Sequence, residues 1–384
     1  MKTKNWKLMH DDAISNADRE KMCDFIQSGS RLSYGEKVKE FEKEWSDWLG
    51  CKYSVFVNSG SSANLLVVQA AHDLYGTGDW IAQSCTWATN VAPIIQLNVK
   101  NKGIYLTDTD LQTLGPNIEN IEHYVKTNNI KYIFLTHLLG LPAISEKLLS
   151  ICKENDIILF EDTCESHGST WNGKKLGTFG KASTFSFYYG HHITTIEGGM
   201  ISTDDEDFYH HLLLLRSHGL LRELPSQEKQ KRKIDDIDER FTFLCPGYNV
   251  RNTDLHAVLG LSQMSRLNLS VKVRNENFKY YLSKLNPNKY YTNFISDGVS
   301  LFSFPIITKN NNIKTIIKIL NENYIENRPL IAGNLHRHPM TNVINTYKND
   351  HVSNYIHDNG LYVGNNEFVT LDDVDKLVSL LNGL

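Results

Sequence analysis

The chain of 384 residues lacks an excess of charge of one sign. It has 40 Lys and Arg against 44 Asp and Glu, which gives a net charge of −4. Without a basic excess, the sequence has no electrostatic footprint for nucleic acid or for an anionic membrane surface. Hydrophobic residues make up 41% and charged residues 22%. This ordinary globular mix excludes a collagen-like, coiled-coil or intrinsically disordered chain.

Long apolar runs and paired cysteines are also missing. No stretch approaches the roughly 18 apolar residues of a membrane span, and the first twenty residues lack the apolar segment of a signal peptide. The six cysteines, at positions 23, 51, 85, 152, 164 and 245, form no CxxC pair and match no zinc or iron–sulfur spacing. These absences predict a soluble cytoplasmic protein with reduced thiols and no membrane partner.

Between residues 50 and 205, short β-branched runs alternate with segments of helical length. This alternation predicts βαβ crossovers and therefore an α/β fold with a mostly parallel sheet. In such sheets, ligands bind beyond the carboxyl ends of the strands. The predicted strands are Tyr53–Val57, Lys131–Leu135, Ile157–Phe160, Ala182–Tyr188 and Met200–Ser202.

The second part of the chain predicts a smaller unit. Residues 224–240 are mostly charged and are interpreted as a solvated loop. A chain of this length rarely folds around a single core. We therefore divide it into a large domain, residues 1–250, and a small C-terminal domain, residues 251–384. The later predicted elements are helices at Thr253–Leu267 and 272–284, a strand at Ser300–Ile307, and helices at 311–324 and 371–382.

Two polar segments follow predicted strands. The first, Asn58–Asn64 (NSGSSAN), leads into a helix, where free backbone N–H groups and hydroxyls suit a phosphate. Ser and Gly at such a place are more often plain N-caps. The second segment ends a buried strand with Asp162. This carboxylate either caps the next turn or pairs with the nitrogen of a heterocyclic ring, which makes the ring an electron sink.

Two further segments carry aromatic and histidine side chains. Trp87, in CTWAT, either belongs to the core or stacks on a flat ring. The segment FSFYYGHHITTIEGGM, which ends at Met200, places His191 and His192 in a turn before a Gly-Gly pair. Such a pair is surface decoration or a metal ligand in an ordinary loop. No carboxylate or cysteine lies nearby at a metal spacing, so we predict no metal site.

Together and in this order, these segments resemble the DegT/DnrJ/EryC1/StrS family of fold type I sugar aminotransferases, which use pyridoxal 5′-phosphate (PLP). The resemblance extends from Gly35-Glu36 to Gly360–Gly364. It implies a large domain with a mostly parallel seven-stranded sheet and a smaller C-terminal α/β domain. The residues that it assigns to PLP, or to its pyridoxamine form (PMP), are Ser59, Gly60, Ser61, Ser62, Trp87, Asp162, Glu165, Ser186 and Asn249.

The family pattern also implies the role of each of these residues. Ser59–Ser62 would hold the phosphate, Trp87 would pack on the ring, and Asp162 would pair with the pyridine nitrogen. Asn249, in the segment PGYNVR, would reach across to the phosphate of a second subunit. The resemblance therefore implies a homodimer with shared active sites.

One position departs from the family. Its usual lysine, which binds PLP covalently, is replaced by His191, and no lysine occurs from Ala182 to Gly199. A histidine there resembles the family's 3-dehydratases of GDP-4-keto-6-deoxy-D-mannose. This implies removal of the 3-hydroxyl from a nucleotide-linked 4-keto-6-deoxy sugar, with PMP regenerated from L-glutamate. His191 would be the acid/base, and an ordinary imidazole pKa near 6.5 suits that role at neutral pH.

The same resemblance suggests the substrate contacts, and two alternative functions stay open. A surface ion pair is the other interpretation of Arg222 and Arg328. His336-Arg-His338 departs from the dehydratases, so the sugar and the nucleotide stay undecided. The alternative functions are a nucleotide-sugar aminotransferase and a non-catalytic binding protein of this fold. The predicted substrate contacts are His218, Arg222, Arg251 and Arg328.

Overall fold

A computed structural model describes residues 6–8, 13–97, 103–344 and 350–384. Its α-helices, numbered in chain order, are α1 Asn16–Gln27, α2 Glu36–Leu49, α3 Gly60–Tyr75, α4 Ala92–Gln96, α5 Ile118–Thr127, α6 Glu146–Glu154, α7 Glu206–Arg216, α8 Ser226–Arg232, α9 Asp254–Lys284, α10 Ile313–Glu322, α11 His351–Asn359 and α12 Leu371–Asn382. Its strands are β1 Tyr53–Val57, β2 Asp79–Gln83, β3 Ile104–Thr107, β4 Ile130–Thr136, β5 Ile158–Asp162, β6 Thr170–Trp171, β7 Lys174–Lys175, β8 Ala182–Ser186, β9 Gly199–Thr203, β10 Ser303–Ile307, β11 Asn327–Pro329 and β12 Gly360–Gly364.

The large sheet has seven strands in the order β1-β9-β8-β5-β4-β2-β3. Only β9 runs antiparallel to its neighbours, and the remaining pairs are parallel. Strands β8 and β9 are buried along their whole length, as expected where helices cover both faces of a sheet. The predicted α/β fold with a mostly parallel seven-stranded sheet is confirmed.

A second, antiparallel sheet of three strands, in the order β10-β12-β11, organises the C-terminal region. Phe278 and Tyr281 of α9 pack with Phe304 in its core. The beginning of the chain joins this core, because the indole of Trp6 donates to the carbonyl of Gly364 at 2.9 Å. The division at residue 250 lies just before α9 and stays a prediction.

Two predictions from the C-terminal part are wrong. The helices predicted at Thr253–Leu267 and 272–284 form one continuous helix, α9, of 31 residues. The polar residues between them weaken helix propensity, but Ser270 is buried and accepts a hydrogen bond from Nε of Arg274 one turn later. Residues 224–240 are not all loop, because they contain α8, where Glu228 pairs with Lys231 at 2.6 Å. Within the described part of the chain, no helix combines the length and apolarity that a bilayer crossing requires.

Candidate active site

A cavity of about 290 Å³ lies at the carboxyl edge of the large sheet. The sheet register brings its walls together, because Val57 and Ser186 both pair with Gly199 of β9, while Asp162 pairs with Thr136 of β4. The loops after β1, β4, β5 and β8 therefore open at one place. The residues singled out from the sequence that line this cavity are Ser59, Gly60, Ser61, Trp87, Asp162, Glu165, Ser186, His191 and Arg328.

One corner of the cavity is the N-terminus of α3. The hydroxyl of Ser59 caps this helix, since its Oγ accepts from the amide of Ser62 at 3.0 Å. A Cβ on Gly60 would lie 2.7 Å from Cβ of Ser186 and 3.0 Å from Sγ of Cys164, so only glycine fits there. The first N–H groups of a helix have no partner within the helix, and the helix dipole favours an anion. This corner fits a phosphate group.

Asp162 lies across the cavity from this corner, at the end of β5, and is buried. Its Oδ2 accepts from Nδ2 of Asn64 at 2.9 Å and from Nδ2 of Asn90 at 2.7 Å. Its Oδ1 accepts from the amide of Cys164 at 2.9 Å. Three donors thus orient a carboxylate that can accept from a ring N–H. The sequence analysis missed both asparagines, although a buried carboxylate always requires donors and Asn64 belongs to the NSGSSAN segment.

Trp87 is 55% exposed, which is a high value for this residue type at the rim of a cavity. A large aromatic face in that position is available for stacking on a flat ligand. The phosphate corner, the oriented carboxylate and this aromatic face surround the same cavity. The residues present therefore fit a phosphorylated pyridine ring.

Glu165 contributes a second carboxyl group to the cavity. Burial raises its pKa to about 7, against the hydrogen bond from the amide of Leu139 and with the help of the negative charge of Asp162. The amide of Leu139 donates to its Oε2 at 2.7 Å. The Glu165 carboxyl can therefore exchange a proton near neutral pH.

His191 faces the cavity from the turn after β8. Its ring packs on Phe302 with centroids 5.3 Å apart. Its Nδ1 is buried and has no hydrogen-bond partner among the described residues. Burial and the positive charge of Arg274 lower its pKa to about 3, so the expectation of an ordinary value near 6.5 is wrong. At neutral pH the imidazole is uncharged and can accept a proton.

Residues 12–382 match the model of the DegT/DnrJ/EryC1/StrS aminotransferase family. The chain belongs to this family. It is 36% identical over 373 residues to GDP-4-keto-6-deoxy-D-mannose 3-dehydratase of Escherichia coli O55:H7 (strain CB9615 / EPEC), covering 93% of this chain and 94% of that protein.

Two solved structures are similar over nearly the whole chain. A GDP-4-keto-6-deoxymannose-3-dehydratase with a trapped PLP-glutamate geminal diamine has a TM-score of 0.91 at 33% identity. A variant of that dehydratase with bound GDP-perosamine has a TM-score of 0.89 at 33% identity. Each alignment covers 98% of this chain and 100% of the solved chain. These similarities confirm the resemblance stated from the sequence motifs.

Within this DegT/DnrJ/EryC1/StrS site, the two adjacent histidines have different surroundings. His192 does not line the cavity, is buried, and has its Nε2 2.8 Å from Oγ and 3.0 Å from the carbonyl oxygen of Ser300. His191 alone of the pair faces the cavity. The structure therefore presents one neutral imidazole, that of His191, to the cavity and holds the other histidine against Ser300.

Most of the other residues predicted from the sequence do not line the active-site cavity. Ser62 supports the phosphate corner through Ser59 without lining the cavity. His218 is exposed with a positive φ of 62°. Arg328 lines the cavity but also pairs with Glu326 at 3.2 Å, so both of its interpretations have support. A separate cavity of about 440 Å³ is lined by Arg222, Asn249 and Arg251, together with Arg31.

In the segment His336-Arg-His338, the two histidines point inward, whereas Arg337 is exposed and pairs with Asp358 at 2.6 Å. Nδ1 of His336 hydrogen-bonds to Oδ2 of Asp350 at 2.5 Å, and Nε2 of His338 lies 2.9 Å from the carbonyl oxygen of Ala332. They brace the segment that carries Arg328 and do not line the cavity.

Among the residues placed by the structure, no group of three His, Cys, Asp or Glu side chains is arranged to hold a metal ion.

Proposed function

We propose that this protein is a PLP/PMP-dependent sugar 3-dehydratase of deoxysugar biosynthesis. Its substrate would be a nucleotide-linked 4-keto-6-deoxy sugar of the GDP-4-keto-6-deoxy-D-mannose type. The observation that carries the proposal is a neutral His191 at the lysine position, in a cavity that keeps the contacts for a phosphorylated pyridine ring. The similarity to the E. coli dehydratase, at 36% identity, supports the same reaction.

The geometry of the cavity supports a set of cofactor contacts. The amides at the start of α3, with the hydroxyls of Ser59 and Ser61, would bind the phosphate. Asp162 would accept from the pyridine N–H, and Trp87 would stack on the ring. Glu165 and Ser186 complete the wall. When bound, PMP would supply an electron sink.

His191 moves the proton in this mechanism. As a neutral base, it accepts the proton from the 4′ carbon on an imidazole nitrogen. Burial lowers its pKa, so the protonated ring is a strong acid and gives the proton to the hydroxyl that leaves carbon 3. L-Glutamate supplies the amino group and leaves as 2-oxoglutarate, and the other products are a 3-deoxy-4-keto sugar and ammonia. No amine at this position competes by binding the cofactor covalently.

We place the arginine-lined cavity at the interface of a homodimer with shared active sites. Asn249 would reach the phosphate of the partner's cofactor. His218, Arg222, Arg251 and Arg328 would contact the nucleotide sugar, since guanidinium groups match phosphate oxygens. Three arginines around an open cavity support an anionic ligand there. The scattered unpaired cysteines fit a reducing compartment, so we place the enzyme in the cytoplasm.

Product analysis tests the proposal. The purified protein is incubated with PLP, L-glutamate and GDP-4-keto-6-deoxymannose, and the sugar and ammonia are quantified. The proposal predicts 3-deoxy sugar and ammonia in equal amounts. An aminosugar would identify an aminotransferase. Absence of any spectral change of PLP with glutamate would identify a binding protein without this activity.

A further inference from the structure

A third, much smaller cavity is lined by the turn at 189–194. His191 and His192 form one side, and Arg274 and Glu367 line the other. Its volume, about 10 Å³, is the room that one water molecule needs. Of the described residues, His191 is the only one that lines both this cavity and the active-site cavity. The catalytic imidazole thus separates the reaction space from a charged space behind it.

Arg274, on α9, is held rigidly in that charged space. It is 1% exposed and donates to the carbonyls of Phe302, at 3.2 Å, and Asn365. Its carboxylate partner is Glu367, at 3.3 Å. Because the ring of Phe302 packs directly on His191, the guanidinium also supports a wall of the active site.

The other titratable groups around His191 carry little opposing charge on this side. His167, which follows β5, has its ring centroid 6.2 Å away, and Tyr188 and His192 share its turn. The other titratable side chains that line the active-site cavity with His191 are His137, Asp162, Cys164, Glu165, Glu197, Arg328 and Tyr362. After burial, the positive charge of Arg274 is the cause that lowers the pKa of His191, and it also lowers the pKa values of His167 and His192.

We propose that Arg274, balanced by Glu367, is a positioning residue that keeps His191 uncharged until it takes a proton from the 4′ carbon of the cofactor. This inference rests on the proposed function and deepens it. His191 would take the proton as the C–H bond at the 4′ carbon of the cofactor breaks, and the bound cofactor would accept the electron pair. The fixed positive charge behind the imidazole makes that proton leave readily. It would pass to the oxygen on carbon 3 as the C–O bond breaks, so that water departs and the electron pair from the cofactor forms the new carbon–carbon double bond of the sugar.

The test measures the protonation of His191 in the cofactor-free protein, by ¹⁵N chemical shifts of the histidine rings at pH 5. His191→Asn identifies the signal. In Arg274→Gln the protonated fraction of His191 should rise about tenfold, because loss of the positive charge should raise the pKa of His191 by about one unit. Arg274→Lys keeps the positive charge and should show no rise. Glu367→Gln removes the balancing negative charge and should also show no rise.

Charge and packing give different results in this series. If packing were responsible, the three variants would all loosen the site and all would raise the protonated fraction. A rise in Arg274→Lys or Glu367→Gln, or no rise in a folded Arg274→Gln, would overturn the inference. Thermal melting establishes which variants are folded. If Arg274→Gln does not fold, Glu367→Gln tests the inference, and a rise of the protonated fraction in that variant would overturn it. Since no substrate is present, a failed dehydratase assay would leave this result standing.

Discussion

The two large cavities described above differ in how complete they are within one chain. In the active-site cavity, Asp162 is 4% exposed and is oriented by three hydrogen bonds from its own chain. In the arginine-lined cavity, the side chain of Arg222 is 44% exposed, and its nearest carboxylate, on Glu223, is 3.8 Å away. The first cavity thus has its carboxylate oriented within one chain, whereas the arginines of the second lack close acidic partners of their own among the described residues. If the protein is the dimer proposed above, the second cavity is the one that a partner chain completes.

The largest expected effect comes from the imidazole of the complete cavity. His191→Asn should slow 3-dehydration by about 10²–10⁴-fold, the usual cost of losing a positioned general base. PMP binding should stay nearly unchanged, since the other contacts are intact. Equilibrium dialysis and single-turnover kinetics separate these two effects.

The neighbouring histidine supplies the control for this variant. His192→Asn should keep most of the activity, because that ring faces Ser300 and not the cavity. If His192→Asn were inactive and His191→Asn active, the assignment of the base would be wrong. If both were active, neither histidine would be the base.

The next effect concerns the carboxylate of the same cavity. Asp162→Ala should weaken PMP binding by about 10- to 100-fold, because a hydrogen bond to a charged group contributes about 1.5–3 kcal/mol. Asp108→Asn is the matched control. Asp108 is also buried, but it caps α11 and does not line the cavity, so its loss should lower stability and leave PMP affinity unchanged. Equal losses of affinity in both variants would point to general unfolding.

The sequence predicted which residues line the active-site cavity better than it predicted their hydrogen-bond donors and pKa values. Strand ends place Asp162 and Ser186 at one edge, and β-branched runs reveal those strands. The donors to Asp162 could not be predicted, since Asn64 and Asn90 are 98 and 72 residues away in sequence. The low pKa of His191 is equally hidden, because it arises from burial and from Arg274 on a different element.

Two helices show what the sequence reveals of the fold. α2 buries Phe41 and Trp45 against the core and was not among the predicted helices, although its apolar residues recur at helical spacing. The continuity of α9 results from packing of α1 and α2 along it, which local propensity does not encode. Elements fixed by local pattern are predictable, and elements fixed by tertiary contact are not.

A smaller effect tests the incomplete cavity. Asn249→Ala should weaken PMP binding about 10-fold, the lower end of the contribution of a hydrogen bond to a charged group, because Asn249 is one of several contacts to the phosphate. If Asn249 serves the partner's site, mixed dimers of His191→Asn and Asn249→Ala chains contain one intact site. Refolding the two together should then restore PMP binding at that site with full affinity and recover about a quarter of wild-type activity. No recovery above the average of the two separate variants would place Asn249 in its own chain's site.

The smallest effect is on stability and concerns Glu165. The carboxyl of Glu165 has a pKa of about 7 in the native state and near 4.5 in the unfolded chain. At a pH between these two values, the native carboxyl keeps its proton and the unfolded one has released it. The native state then binds more protons, so the free energy of unfolding falls as pH rises between these values. Glu165→Gln should remove part of this fall, on the order of 1–3 kcal/mol. Denaturant unfolding of the cofactor-free protein at pH 5 and pH 7.5 measures it, and an identical fall in both proteins would contradict the assignment.

We propose that this chain holds its cofactor without a covalent bond, because no lysine occurs from Ala182 to Gly199 and His191 would stand where the family has its lysine. The most direct measurement is borohydride reduction of the protein saturated with PLP, followed by mass spectrometry of the intact chain and of its peptides. The account predicts an unmodified chain and release of all the cofactor. His191→Lys, treated in the same way, should gain one reduced phosphopyridoxyl group at position 191. A reduced adduct on any lysine of the wild-type protein, in proportion to bound PLP, would contradict the account.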